Sequence, residues 1–211
     1  MGIVHTPRVI ATIAKGMMRQ SKSSSKESTT RLGVVDPYKY YARAGLFDVD
    51  YLGHLNNAAY FSHAEYARWE MSAVNGWLPA MMKNNAHYYL TSASCRYRAE
   101  IRPLFRKFEI QTVVAGMDDK NLWIYQSFRH AQEGDDRVRA QVIVKGAIVQ
   151  KGKVIDPRQF LKDKVGVHPD VIDAVNRTNA DASVEDMIAS FEALDKAKRN
   201  AAALDDERAS S

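Results

Sequence analysis

Cysteine is almost missing from this sequence: Cys95 is the only one among 211 residues. A single thiol excludes a disulfide framework and a thiolate metal site. The six histidines are scattered, with no spacing of the H-x-x-x-H kind, so no histidine-based metal centre is expected either. No apolar run reaches the roughly 18 residues needed to span a bilayer. No internal repeat is present. Acidic residues are absent from the first 26 positions, and that absence shapes the charge of the whole chain.

The net charge of +5 suggests at first a nucleic-acid binder, but its location argues otherwise. Residues 1–31 hold six basic residues (Arg8, Lys15, Arg19, Lys22, Lys26, Arg31) and one acid, Glu27. The remainder balances, 24 basic against 24 acidic. A neutral body with its basicity confined to one end lacks the footprint of a nucleic-acid interface.

At about 100° per residue, Arg8, Lys15, Arg19 and Lys22 share one side of a helix, and Val9, Ile10, Ile13, Ala14 and Met17 the other. A Ser-rich stretch, residues 21–25, follows. Basic, amphipathic, Ser-rich and acid-poor is the composition of a mitochondrial presequence. Two other readings stand beside it. One is a disordered or surface-lying basic arm, able to associate with a membrane surface. The other is N-myristoylation at Gly2, since Met-Gly-Ile-Val-His-Thr fits M-G-x-x-x-[ST] and would favour the cytosolic face of a membrane. Under the targeting readings residues 1–35 stand outside the fold.

Pro37 marks entry to a domain expected over 36–156, with a helical extension over 157–211. Residues 38–47 are aromatic-rich and read as a strand. Tyr60, Ala64, Ala67, Met71 and Val74 recur with helical spacing and predict a helix over 57–75, capped by Asn56 or Asn57. Four strand-like segments follow, at 87–101, 107–116, 122–131 and 137–150, separated by turns such as Asp118-Asp119-Lys120-Asn121. Strand, helix and antiparallel meander describe an α+β arrangement with one helix against one sheet. Helices are expected over 169–178 and 183–203, with Ser183 and Asp186 forming a capping box.

Between the first strand and the helix lies the sequence Asp50-Tyr-Leu-Gly-His-Leu-Asn-Asn-Ala-Ala-Tyr60. A carboxylate, a glycine turn at Gly53 and a helix start place an acid beside free backbone N–H groups, which favour negative charge. An acid that can attack or activate water, next to N–H groups that can hold an oxyanion, is a minimal acyl-transfer site.

This stretch, together with Glu65-x-Ala-Arg-Trp69, resembles the acyl-CoA thioesterases of the hotdog fold, in the branch that includes 4-hydroxybenzoyl-CoA thioesterase. The strand–helix–meander order extends the likeness to roughly 38–155. The resemblance implies a five-stranded antiparallel sheet wrapped around one long helix. It also implies homodimers, often paired into tetramers, with sites at the subunit interface. Asp50 aligns with the acid that works on the thioester carbonyl, and the backbone N–H near Asn57 with the oxyanion donor. His54 and Asn57 lie where related enzymes position water or substrate, and Glu65 aligns with a helix carboxylate.

The substrate implied is an acyl-CoA thioester, with no cofactor or metal, and Gly53 and Tyr60 are candidate binding residues. Arg96 and Arg98, which alternate along the strand region as a solvated face also would, could meet its phosphates. Arg102 and Lys107 are further candidates for the coenzyme A phosphates. Tyr60, Trp77, Met81 and Met82 would set the depth of an acyl tunnel. Each residue also has a plainer role: Asp48 and Asp50 as loop acids, Asn57 as a cap, Glu65 paired with Arg68, and Cys95 as a small buried hydrophobe. The competing functional class is a non-catalytic hotdog subunit or acyl-binding component of an organellar assembly. Hydration of enoyl thioesters also occurs on this fold, but Asp50 and His54 are separated by a glycine turn rather than sharing a helix face.

Overall fold

The computed structural model describes residues 2–22, 30–178, 186, 188–194 and 196–197. Helix α1 (Gly2–Lys22) precedes strand β1 (Tyr38–Arg43), the central helix α2 (Asn57–Val74) and a short helix α3 (Trp77–Lys83). Strands β2 (Ala86–Tyr97), β3 (Lys107–Met117), β4 (Leu122–His130), β5 (Ala140–Gln150) and β6 (Lys153–Ile155) follow. A turn of helix, α4 (Pro157–Phe160), runs into a π-helical turn at Leu161–Val165, and α5 (Pro169–Thr178) closes this unit. In the second compact unit, 180–211, residues 188–194 are helical. Ser183, the proposed cap there, lies outside the described residues.

The five long strands form one antiparallel sheet in the order β1-β3-β4-β5-β2. The strand pairing follows from the sequence pattern. In β3, alternate residues Phe108, Ile110, Thr112 and Val114 are buried, as a sheet with one face on a core requires. Small β6 takes the side of β5 that β4 leaves beyond Gly146. β2 and β1 are the two edges.

The α+β architecture expected from the sequence is present, with shifts at element ends. The first strand stops at Arg43 rather than 47, and β2 stops at Tyr97 rather than 101. In both places the chain leaves the sheet to make the loops that line a cleft. The segment after Gly76, expected to be a connector, forms α3.

The central helix is buried on two sides. One stripe, Tyr60, Ala64, Ala67, Met71 and Val74, belongs to the core with Ile110, Phe128, Val142 and Ile148 from the sheet. A second stripe is offset by one residue: Ala59, His63, Tyr66, Glu70 and Ala73 are buried too. α1 packs along the central helix. At their crossing a Cβ on Gly16 would lie 2.6 Å from Ala73 Cβ, so the two backbones approach where neither residue has bulk.

Residues 2–22 therefore do not stand apart from the fold, contrary to the expectation for 1–35. The face that turns inward, where Thr12 and Gly16 are buried and Val9 meets the core, also brings basic side chains to buried acids. Lys15 Nζ donates to Glu70 Oε2 at 2.9 Å, Arg19 Nη1 to Glu70 Oε1 at 2.5 Å, and Arg8 Nη1 to Asp48 Oδ1 at 2.6 Å. Glu70 has no exposed surface at all. A buried carboxylate without cations is costly, and α1 supplies two. Ile10, Met17 and Met18 consequently face outward.

The boundary expected at 156 also moves. Phe160, Leu161, Val165, Val167, Val171, Ile172 and Val175 belong to the same core cluster as the sheet and α2, and α5 lies against β3. Asp156 caps this segment by accepting from Arg158 N at 2.8 Å.

Candidate active site

Two successive turns carry the chain from β1 to the central helix. Asp48 N donates to Gly45 O at 3.0 Å, and Gly53 N donates to Asp50 O at 3.0 Å. Gly53 has φ +74°, a conformation that costs glycine nothing and other residues about 1 kcal/mol or more. A bridge between Val49 and Leu55 closes the loop, and Leu55 N is held by Ile101 O at 3.0 Å.

Within this frame Asp50 Oδ1 accepts from Leu52 N at 3.0 Å and His54 N at 3.1 Å. Oδ2 accepts from none of the described residues. One oxygen therefore orients the carboxylate, and the other is left without a partner among the described residues.

The cap of the central helix is Asn56. Its Oδ1 accepts from Ala58 N at 2.8 Å and Ala59 N at 3.3 Å. Asn57 is the first helical residue, its side chain is exposed, and its backbone N–H donates to none of the described residues. Asn56 thus satisfies two of the free donors of the helix start and leaves Asn57 N–H in a region of positive potential.

Asp50, His54, Asn57 and Tyr60 line a cavity of about 980 Å³. Its other wall is basic: Arg98, Arg102, Arg106, Arg137 and Arg139, with His130. Asp135 anchors part of this wall, accepting from Arg139 Nη2 at 2.6 Å and lying 3.0 Å from His130 Nδ1. Burial and the Arg139 charge lower the His130 pKa, so the ring is neutral at physiological pH. Buried Nε atoms of Arg106 and Arg139 and Nε2 of His130 have no hydrogen-bond partner among the described residues. With the Nδ1–H of the neutral His130 directed at Asp135, its Nε2 is an acceptor, so the attraction of this wall for an anion comes from its arginine charges.

His54 Nδ1 lies 3.5 Å from Glu100 Oε1, which places a carboxylate behind the imidazole. Tyr97 Oη donates to Asn57 O at 3.1 Å and its ring meets Tyr60 edge-on at 5.2 Å. Burial pushes both phenols up to about 12, so each remains a neutral hydrogen-bonding group.

Of the residues singled out in the sequence, Asp50, His54, Asn57, Tyr60 and Arg98 line this cavity; Gly53 shapes the loop but does not line it. Arg96 is exposed on β2 opposite Gln141 and does not line the cavity either. Of the two further cations considered, Arg102 lines it and Lys107 does not. Glu65 is also elsewhere. Eight residues beyond Asn57, it sits about 12 Å further along the helix axis. Its Oε1 accepts from Trp69 Nε1 at 3.2 Å and its Oε2 lies 3.3 Å from His5 Nε2. Arg68, its expected partner, donates instead to Gln126 Oε1 at 2.7 Å. Arg106, Arg137, Arg139 and His130 were not anticipated. The only hint was the alternation Arg137-Val-Arg139 at the start of a strand, which by itself marks a solvated face as often as a site.

Asp48 is structural. It is buried, accepts from Gly45 N at 2.9 Å and from Arg8, and its Oδ2 lies 3.3 Å from His63 Nε2. Burial works against its charge, but His63 and Arg8 outweigh it and hold the carboxyl at about 2. Cys95 is half-buried, and burial pushes its thiol up to about 11, which removes it as a nucleophile at neutral pH.

A second cavity, about 390 Å³, is largely apolar and lies at the other end of the central helix. Trp69, Trp77, Met81, Met82, Leu90 and Ile124 contribute to its wall, and Glu65 and Arg68 sit at its margin.

Comparison with known proteins agrees with this architecture. Residues 45–175 match the family described as the thioesterase-like superfamily. Over 128 residues the chain is 28% identical to Protein THEM6 of Drosophila melanogaster, covering 60% of this chain and 61% of that protein. Over 98 residues it is 32% identical to Protein THEM6 of Xenopus laevis, covering 45% and 47%. The chain thus matches about half to three-fifths of the length of these relatives.

Among solved structures, the YbaW probable thioesterase from Escherichia coli superposes with a TM-score of 0.54 at 19% identity, over 61% of this chain and 96% of that one. The Slr0204 1,4-dihydroxy-2-naphthoyl-CoA thioesterase from Synechocystis gives 0.52 at 10% identity, over 61% and 95%. At these identities the likeness is one of fold, the hotdog arrangement of an antiparallel sheet curled about a helix. With more than half of its length matched and the fold in agreement, the chain belongs to the thioesterase-like superfamily.

Proposed function

We propose that this protein hydrolyses an acyl-CoA thioester to a carboxylic acid and coenzyme A. The observation that carries the reading is the pairing of the Asp50 carboxylate, oriented through one oxygen, with the unused Asn57 N–H at the helix start in one cavity. In this reading Asp50 Oδ2 attacks the thioester carbonyl or takes a proton from the attacking water. Asn57 N–H stabilises the oxyanion, a contribution typically worth 2.7–4 kcal/mol for one donor. His54, backed by Glu100, positions water. The arginines of the opposite wall receive the phosphates of coenzyme A. No step requires a metal.

The free β2 edge supports a homodimer. Antiparallel pairing of two β2 strands about Thr91–Ser92 would set Tyr97 opposite Ala86 of the partner subunit. Tyr97 lines the arginine cavity and Ala86 the apolar one. Such a pairing brings the reactive end of one subunit to the apolar cavity of the other, where an acyl chain would lie. The ion pairs to Glu70 and Asp48 support a further element of the reading, that residues 2–22 stay with the folded domain.

The test is hydrolysis of short, medium and long acyl-CoAs with thiol detection, comparing the full chain with Asp50→Asn. A fall of at least a hundredfold in kcat is expected. Equal rates for the two proteins, or no turnover of any thioester, would leave the alternative of a non-catalytic subunit or acyl-binding component.

A further inference from the structure

Turn tips are usually polar, because they project into water. Here both turns leading to Asp50 are tipped with apolar pairs. Leu46 and Phe47 are the central residues of the turn closed by Asp48 N and Gly45 O, and Tyr51 and Leu52 those of the turn closed by Gly53 N and Asp50 O. Phe47 is 77% exposed and Tyr51 95%. Leu46 and Leu52 are exposed as well.

A third tip stands beside the first. Phe105 is exposed and adopts φ +64°, a left-handed conformation that a bulky side chain disfavours. Two bonds hold it there: its N–H donates to Ala44 O at 2.8 Å, and Arg43 Nη1 donates to its carbonyl at 3.1 Å. Backbone strain is thus maintained to keep a phenyl ring in solvent. Arg43 and Lys107, paired across β1 and β3, and Arg102, three residues before Phe105, are all exposed. Of the nearby acids, Asp48 is engaged with Arg8 and Glu100 with Arg102, while Asp50, beside Tyr51, lines the cavity.

We propose that Leu46, Phe47, Tyr51, Leu52 and Phe105 form a docking surface for an anionic lipid bilayer, which they enter as separate apolar side chains within a basic rim. Several features favour lipid over protein. A stable protein partner needs about 800 Å² of continuous complementary surface on each side. Convex tips that each present one or two side chains offer no such area, whereas a bilayer interface accepts individual aromatic and aliphatic groups and is held to basic rims by its surface charge. The patch lies at the end of β1, which is the sheet edge opposite β2. A dimer formed through β2 would leave Leu46 and Phe47 uncovered. Arg8 ties α1 to the first turn through Asp48, so the outward apolar row of α1, from Ile10 to Met18, extends the same kind of surface. Docking in this way sets the mouth of the Asp50 cavity beside the headgroup layer.

The experiment is co-sedimentation of the full chain with sucrose-loaded vesicles of phosphatidylcholine containing about one-third phosphatidylserine, and with vesicles of phosphatidylcholine alone. Partitioning needs no turnover, so its outcome is separate from that of the hydrolase reading. The wild type is expected to pellet with the anionic vesicles and at least several-fold less with the neutral ones. The double variant Leu46→Glu/Phe47→Glu should lose at least tenfold in partitioning with unchanged near-ultraviolet circular dichroism. Arg43→Glu should weaken binding to the anionic vesicles alone. Failure of the wild type to pellet, or equal pelleting of the double variant, overturns the proposal. So does lipid-free self-association that the double variant abolishes, which would assign the tips to a contact between copies.

Discussion

Lys15 Nζ and Glu70 Oε2 lie 2.9 Å apart although 55 positions separate them in the chain. Arg19 and the Tyr38 hydroxyl complete the set around the same carboxylate, Tyr38 Oη donating at 2.7 Å. Burial and the neighbouring Glu70 raise the Tyr38 pKa, so this phenol stays protonated and donates throughout the physiological range. Glu70 is thereby the buried post to which α1 is fastened.

Removing both cations should leave Glu70 buried with Tyr38 as its main donor. Lys15→Ala/Arg19→Ala is expected to lower stability by about 2 kcal/mol, less than the full cost of breaking a wholly buried pair because both cations are half-exposed. Urea denaturation measures the loss. Limited proteolysis should show α1 cleaved first in the variant, and an unchanged cleavage pattern would contradict fastening through Glu70.

Asp48 makes stability depend on acid. Its carboxyl is lowered from 3.8 to about 2 in the folded protein, so it stabilises fully above pH 4. That contribution is lost as pH falls from 4 towards 2. A shift of this size corresponds to roughly 2 kcal/mol. Asp48→Asn should therefore be less stable than wild type at pH 7 by about that amount, and the gap should close between pH 4 and pH 2. Urea melts across that range are the measurement, and a gap independent of pH would remove the ion-pair explanation.

The basic wall gives a kinetic expectation under the hydrolase reading. Arg106→Ala and Arg139→Ala should each raise KM for an acyl-CoA about tenfold or more, because each removes a guanidinium charge from the wall of the cavity. Values of kcat should change little. With an acyl-pantetheine thioester, which lacks the nucleotide phosphates, the same variants should behave like wild type. Equal effects on both substrates would show that the arginines support the fold and not the phosphates.

Residues close together in sequence were the readable ones. The spacing of Tyr60, Ala64, Ala67, Met71 and Val74 announced a helix with a sheet against it, and that stripe is in the core. Asp50, Gly53, His54 and Asn57 could be placed together because one loop and one helix start hold them, through bonds that span no more than four residues within the loop. Arg98 was legible as a candidate only through the alternation of Arg96, Arg98, Arg102 and Lys107, and Arg96, its neighbour but one, shows how little alternation alone decides.

The rest depended on contacts between distant segments. Glu65 shares the helix with Asn57 but not its cavity, since the helical rise carries it away. Arg106, Arg137, Arg139 and His130 come from three separate parts of the meander and meet Asp50 only when β3, β4 and β5 pair. The amphipathic character of α1 was evident from residues 1–22 alone, but not which face it would bury. Local periodicity determined that the segment is helical, that a second helix follows a glycine turn, and that four strands come after it. Only the tertiary structure decided that α1 turns its cations inward. The reason is electrostatic: Glu70 is buried far along the chain, and a buried carboxylate requires cations wherever they can be found.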